Sequence, residues 1–443
     1  MNNPILEANL KIINELKLFI SLISSNRCLL DQFSISKNCF TRNRKLPFNK
    51  LVLLIAKLCK KTLSVELEDF FAITDSSLCS ISAFTQQRIK LEPTFFYYWN
   101  EVLIKSYYHY YKAHVKRWKN YRIIAVDGST VNLINSKELT EAFGGQINQN
   151  CFFTTAKTFY CYDVLNELIL HSQIGSYSIG ELTMAYKYID TIEQDMLMIY
   201  DRNFCNYKMI ALHQWQEKER KYIIRGNENH TFITDFITSK KSSTIFYMKP
   251  TATTIRNLKK SGYTINSKTL LKVRLVRVDL NDKVEVLITN LWQEEGYKTN
   301  DFKDLYFKRW AIETNISLQK NILQLEAFSG LTSKAVMQDF YATVLMANLQ
   351  SIITKDAQET VEKSTVNRKY KMKINRNKSM GKIKQYWILL LTRRKIKDLL
   401  KLLHQHFVKE LIPIRNGRSF IRQVKNRRSN SKYRTYTNFK PAF

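Results

Sequence analysis

Two short apolar runs, each closed by an aspartate, constrain this chain more than any other feature. Arg122-Ile123-Ile124-Ala125-Val126 leads into Asp127-Gly128-Ser129-Thr130, and Met196-Leu197-Met198-Ile199-Tyr200 leads into Asp201. Apolar runs this short, rich in Ile and Val, read as strands buried on both faces, the kind found in sheets covered by helices. Acids that terminate two such strands are brought together at one edge of the sheet, however far apart they lie in sequence. The expected fold class is therefore α/β, a mixed-sheet core.

The remaining chain divides around that core. From residue 5 to about 116 the apolar spacing is helical, as in Leu51, Leu54, Ile55 and Leu58. Within that stretch Ser82–Lys90 reads as a short polar and basic helix, suited either to a major groove or to a plain surface. Phe152–Leu170 reads as two adjacent strands around a turn near Asn166-Glu167, and Glu181–Ile192 as a helix. Strand-like runs at Tyr222–Arg225, Ser243–Met248, Leu270–Val278 and Val284–Asn290 resemble a β insertion leading into a last core strand, and helical spacing returns from Phe302. The expected organisation is a helical DNA-binding domain over 1–116, the core in two parts over 117–220 and 284–355, and a β-rich insertion over 221–283. A basic C-terminal region for DNA binding or dimerisation occupies 356–443.

Charge points to the partner. The chain carries 70 Lys and Arg against 38 Asp and Glu, a net charge of +32, and residues 368–443 hold 23 basic residues against Asp398 and Glu410 alone. Such an excess calls for a polyanion, nucleic acid before membrane. The longest apolar stretches, Leu51–Ala56 and Trp387–Leu391, fall short of the roughly 18 residues that spanning needs. Seven cysteines without a CxxC pair argue against a disulfide framework or structural zinc. Acidic residues in the N-terminal stretch argue against a secretory leader, so a cytoplasmic, nucleoid-associated protein is expected.

A third acid comes from Tyr306, Arg309, Glu313 and Lys320, spaced Y-x2-R-x3-E-x6-K. On one continuous α-helix these fall at about 0°, −60°, −20° and −40°, a single stripe. Charged groups on one stripe suit either a salt-bridged surface or a face turned to metal and phosphate, with Glu313 as an oxygen ligand and Arg309 and Lys320 on phosphate oxygens. Carboxylates at 127, 201 and 313 suit two-metal phosphoryl transfer with Mg²⁺, for which Mn²⁺ can substitute. The sequence has no HExxH, Walker A or GxGxxG motif.

Asp127 after one strand, Asp201-Arg202-Asn203-Phe204 after another and the Tyr306-Arg309-Glu313-Lys320 signature together resemble the IS4 family of DDE transposases of bacterial insertion sequences. Leu325-Glu326-Ala327-Phe328-Ser329 and Asn348-Leu349 resemble the region that follows the signature in that family. The resemblance implies an RNase H-like core, Asp127, Asp201 and Glu313 as catalytic metal ligands, and Tyr306, Arg309, Lys320 and Arg202 on or beside the DNA phosphates. It further implies a synaptic homodimer on paired terminal inverted repeats, and cut-and-paste transfer into target DNA. Hairpin-forming relatives carry a tryptophan four residues ahead of a threonine matching Thr289. Here that position is Glu285, and Trp292 is the aromatic that could stack a base instead. The competing readings are a transposase-derived DNA-binding protein that no longer cleaves, and a stand-alone metal-dependent nuclease.

Overall fold

The computed structural model describes residues 4–42, 44–58, 60–147, 151–280 and 283–415. It is a mixed α/β structure. Its strands, in chain order, are β1 (Arg122–Asn132), β2 (Gly145–Ile147), β3 (Phe152–Asp163), β4 (Leu168–Ser176), β5 (Met196–Tyr200), β6 (Lys221–Arg225), β7 (Ser243–Met248), β8 (Leu271–Asp279), β9 (Val284–Thr289), β10 (Met372–Ile374) and β11 (Leu411–Pro413). The chain forms two compact units, one of residues 116–130 and 157–316, the other of residues 1–115, 131–156 and 317 onward.

In the 116–130 and 157–316 unit the strands follow the order β4–β3–β1–β5–β6–β9–β8–β7. β1, β5 and β6 are mutually parallel, whereas β9, β8 and β7 add on in antiparallel fashion. The stretch with the character of a β insertion thus extends the same sheet, with β9 hydrogen-bonded to β6. Asp163 closes the β3–β4 turn: its Oδ1 accepts from the backbone N–H of Leu165 and Asn166, and Glu167 takes a positive φ. On one face Ile123, Leu197, Ile199, Ile223 and Leu287 pack against Phe302, Leu305 and Tyr306 of the helix Asp301–Phe307.

Two local expectations change. β1 does not stop at Asp127 but runs on to Asn132, because the apolar pattern marks only the continuously buried part, and the remainder, half exposed except at Val131, is still paired. The helix expected from Phe302 is not continuous: Asp301–Phe307 gives way at Lys308-Arg309 to Trp310–Ser317, which passes into a π-helical turn over Leu318–Ile322. The four signature residues therefore do not share the stripe of one straight α-helix.

In the other unit, six α-helices occupy the described part of the first 110 residues. The helix Ser333–Ile353, buried along most of its length, packs against Thr94–Tyr110. Part of the basic C-terminal region belongs to this core. Trp387, on the helix Arg376–Thr392, is fully buried, donates its indole N–H to the Leu53 carbonyl at 3.1 Å and lies 5.5 Å from the Trp99 ring. The stretch from 416 onward lies outside the described residues. Among the described residues no helix is long and apolar enough to cross a membrane.

The helix Ile81–Ile89, which covers most of the stretch with groove-binding composition, turns its arginine inward. Arg88 is buried and donates Nε to Gln338 at 2.6 Å, Nη1 to Ser329 at 2.7 Å, and Nη2 to the Ala335 carbonyl at 2.9 Å and to Asp339 Oδ1 at 2.7 Å. Burial pushes the Asp339 carboxyl up, but Arg88 and Lys60 together hold it below its ordinary value. Removing one member of such a pair leaves a buried charge uncompensated. Asp339→Ala should therefore cost about 3–5 kcal/mol in denaturant unfolding, and the double change Arg88→Met with Asp339→Leu should recover much of it. A single-variant loss below about 1 kcal/mol would show that Arg88 finds water on its own.

Candidate active site

Strand register builds the site. Parallel pairing sets Arg122 opposite Met196 and Ala125 opposite Ile199, so two rungs further on Asp127 comes level with Asp201. Neighbouring strands lie about 4.8 Å apart, which makes the two carboxylates neighbours at one sheet edge. Each is also tied to the backbone beside it: Asp127 Oδ1 accepts from the Gly128 N–H and Asp201 Oδ1 from the Asn203 N–H, both at 2.9 Å.

That arrangement is electrostatically costly, and the titration of both acids reflects it. Burial raises the Asp127 carboxyl to about 7, with the charges of Asp201 and Glu181 adding to the rise while the Gly128 N–H and Arg309 oppose it. Burial also raises Asp201, Glu181 adds to the rise, and Arg309 and Arg202 oppose it.

Arg309 is the central cation. It sits in the turn between the two helices with only 6% of its side chain exposed, and its Nη2 donates to Glu313 Oε1 at 2.8 Å. Its guanidinium lies 5.3 Å from the Trp310 ring and 5.9 Å from that of Tyr306. Its Nε is buried and donates to nothing. The site thus gathers Asp127, Asp201, Arg309 and Glu313, with Glu313 turned onto the arginine. Among the described residues no three Asp, Glu, His or Cys side chains are set as a metal cage in this arrangement. Carboxylates held above their ordinary range and an unused guanidinium donor nevertheless fit a divalent cation with an anionic ligand beside it.

The other expected site residues take different places. Tyr306 is buried in the core, where its hydroxyl donates to the Tyr200 carbonyl at 3.3 Å. Arg202 is exposed on the short 3₁₀ turn capped by Asp201. Lys320 lies in the π-helical turn, within the other unit. Trp292 is partly exposed, with the Lys272 ammonium 4.6 Å from its ring centre. Glu285 forms ion pairs with Arg225 at 3.0 Å and Lys283 at 3.2 Å.

Sequence reasoning missed one acid. Glu181 begins the helix Glu181–Tyr188, accepts from Lys157 Nζ at 3.2 Å and from Asn203 Nδ2 at 3.3 Å, and lies directly over Gly128. The available signal was an acid at a helix start just ahead of the strand that carries Asp201.

The family profile for the transposase DDE domain matches residues 118–349, slightly more than half of the chain and including every one of these acids. The chain belongs to this family. Members of the DDE family generally use divalent metal ions. Among solved structures, the piggyBac transposase synaptic complex with hairpin DNA is similar at a TM-score of 0.42 and 10% identity, over 92% of this chain and 86% of that one. At that TM-score the likeness carries no argument. No curated protein matches in sequence.

Within the DDE domain, Tyr306→Phe tests whether that residue is structural. Losing one buried hydrogen bond should cost about 0.5–1.5 kcal/mol of stability and leave DNA affinity within about twofold. A loss of affinity at unchanged stability would place the hydroxyl on DNA.

Proposed function

We propose that the chain is a DNA transposase of the IS4 type, which binds the terminal inverted repeats of an insertion sequence, cleaves the strands and joins them to target DNA. The observation that carries this reading is the parallel register that sets Asp127 level with Asp201 inside the matched DDE domain, with Arg309 and Glu313 beside them. The strand order β4–β3–β1–β5–β6 supports an RNase H-like core for it. The working assembly is a homodimer on paired ends, in the cytoplasm with the nucleoid.

Asp127, Asp201 and Glu313 would hold two Mg²⁺ ions, for which Mn²⁺ can substitute. Bound there, the ions supply activation of the attacking water or 3′-hydroxyl and stabilisation of the leaving oxygen. Arg309, whose Nε has no protein acceptor, holds the scissile phosphate. The exposed Arg202 is assigned a flanking phosphate, and Lys320 the same role from the signature. Tyr306 packs beside Arg309, its ring 5.9 Å from the guanidinium, and Trp292 with Lys272 offers a stacking platform for a displaced base.

Asp127→Asn, Asp201→Asn and Glu313→Gln each delete a ligand charge with little change of volume. Each should abolish strand cleavage on a labelled element end while specific end binding persists. Cleavage retained by any one of them at ordinary Mg²⁺ would remove that residue from the catalytic set.

The basic C-terminal region is assigned phosphate contacts. Binding through about 6–10 phosphates should weaken on the order of 10³ to 10⁵-fold between 50 and 200 mM salt. Residues 416–443 contain eight Lys and Arg and no acid. Deleting them keeps the Trp387 core and should flatten the slope of affinity against salt. A slope identical to that of the full chain would exclude these residues from DNA contact.

A further inference from the structure

We propose that Glu181 is a fourth carboxylate of the metal-dependent centre, sharing a cation with Asp127 and Asp201. This rests on the transposase reading above and adds a residue that neither the signature nor the family match assigns.

The first observation is steric. A Cβ built at Gly128, the residue next to Asp127, would fall 2.3 Å from Glu181 Cγ, 2.5 Å from Cδ and 2.7 Å from Oε1. The carboxyl group thus lies against the backbone immediately beside the first aspartate, in space that a side chain at 128 would occupy.

The second is connectivity. Glu181 Oε2 accepts from Asn203 Nδ2 at 3.3 Å, and the backbone N–H of the same Asn203 donates to Asp201 Oδ1 at 2.9 Å. Glu181 therefore touches the segments that carry both aspartates.

The third is the engagement of the remaining acid. Glu313 Oε1 accepts from Arg309 Nη2 at 2.8 Å, whereas Glu181 lies against the backbone beside Asp127 and accepts from the same Asn203 that donates to Asp201.

A structural role would be served by Lys157 alone, whose Nζ lies 3.2 Å from Glu181 Oε1. A salt bridge to Lys157 gives no reason to draw the carboxylate in beside two like charges. A shared divalent cation does, because hard cations take several carboxylate oxygens at once. The buried, unpaired Nε of Arg309 is the independent sign of a ligand here: it is a donor placed for an anion beside that cation.

The test uses the full chain and Mn²⁺ as probe, with binding followed by electron paramagnetic resonance and folding checked by thermal melt. Glu181→Gln should weaken Mn²⁺ binding by at least about tenfold, the low end of what even an outer-shell change costs. Glu181→Asp should restore part of that loss, and Lys157→Met should leave Mn²⁺ affinity nearly unchanged. With Fe²⁺, ascorbate and peroxide, backbone cutting should occur near 181 as well as near 127 and 201. Wild-type affinity in Glu181→Gln, alongside lost affinity in Asp127→Asn, would overturn the assignment and leave the transposase reading intact. No Mn²⁺ binding by the wild-type chain would overturn the metal centre and this assignment together. Mn²⁺ held normally by a wild-type chain that never cleaves DNA would sink the transposase reading while the Glu181 result still stood.

Discussion

The parallel pairing of β1 with β5 brings two carboxylates to the same height at one edge of the sheet, and the rest of the centre is arranged around the cost of doing so. Burial raises both Asp127 and Asp201 and favours their protonated forms, and neighbouring acids add to it: Asp201 and Glu181 for Asp127, and Glu181 for Asp201. Of the cations set against them, the buried guanidinium of Arg309 is shared with Glu313 and Arg202 is exposed, so two backbone N–H groups complete the compensation. The fold therefore maintains the unfavourable pair, as expected where charge deficit is part of the chemistry.

Arg309 can serve this centre because of a break in helix geometry. In a continuous helix it would be one more residue on a charged stripe. In the turn between Asp301–Phe307 and Trp310–Ser317 its side chain is buried, with the guanidinium beside the Tyr306 and Trp310 rings, bonded to Glu313 and lowering both aspartates through its charge. Tyr306 shares in this through its ring and not through a free hydroxyl, since that hydroxyl is committed to the Tyr200 carbonyl at the end of β5. The side chain that supports the arginine is thus bonded to the strand that delivers Asp201.

Much of this was legible in the sequence, and the misses have physical causes. The two apolar runs identified the central strands because strands buried on both faces must be apolar throughout. They misplaced the end of β1 because Asp127–Thr130 are paired but half exposed, with only Val131 buried beyond them, a state that composition does not distinguish from a loop. The four-residue signature set Arg309 and Glu313 on one face, where the structure pairs them, but assumed one angular step throughout and so could not anticipate the turn or the π-helical segment. The helix at 81–89 suited either a groove or a plain surface, although Arg88 is spent on a bond to Asp339 some 250 positions away in sequence, which local pattern cannot reveal. Glu181 escaped notice for the same reason: an acid at a helix start is ordinary, and only the approach over Gly128 gives it meaning.

Charge sets the remaining problem. The chain as a whole carries +32, a charge that favours a polyanion, yet the proposed catalytic centre presents four carboxylates to Arg309, Lys157 and the exposed Arg202. With Lys157 taken by Glu181 and Arg309 by Glu313, a phosphate approaching the aspartates would meet net negative charge. Protonating Asp127 would relieve that only partly. Under the proposed two-metal reading, a divalent cation shared among the carboxylates would neutralise the acids where phosphate approaches and would leave the Nε of Arg309, which has no protein acceptor, for a phosphate oxygen. On that reading the local acidity is the condition under which a chain of this net charge would hold DNA broadly and act on one phosphate.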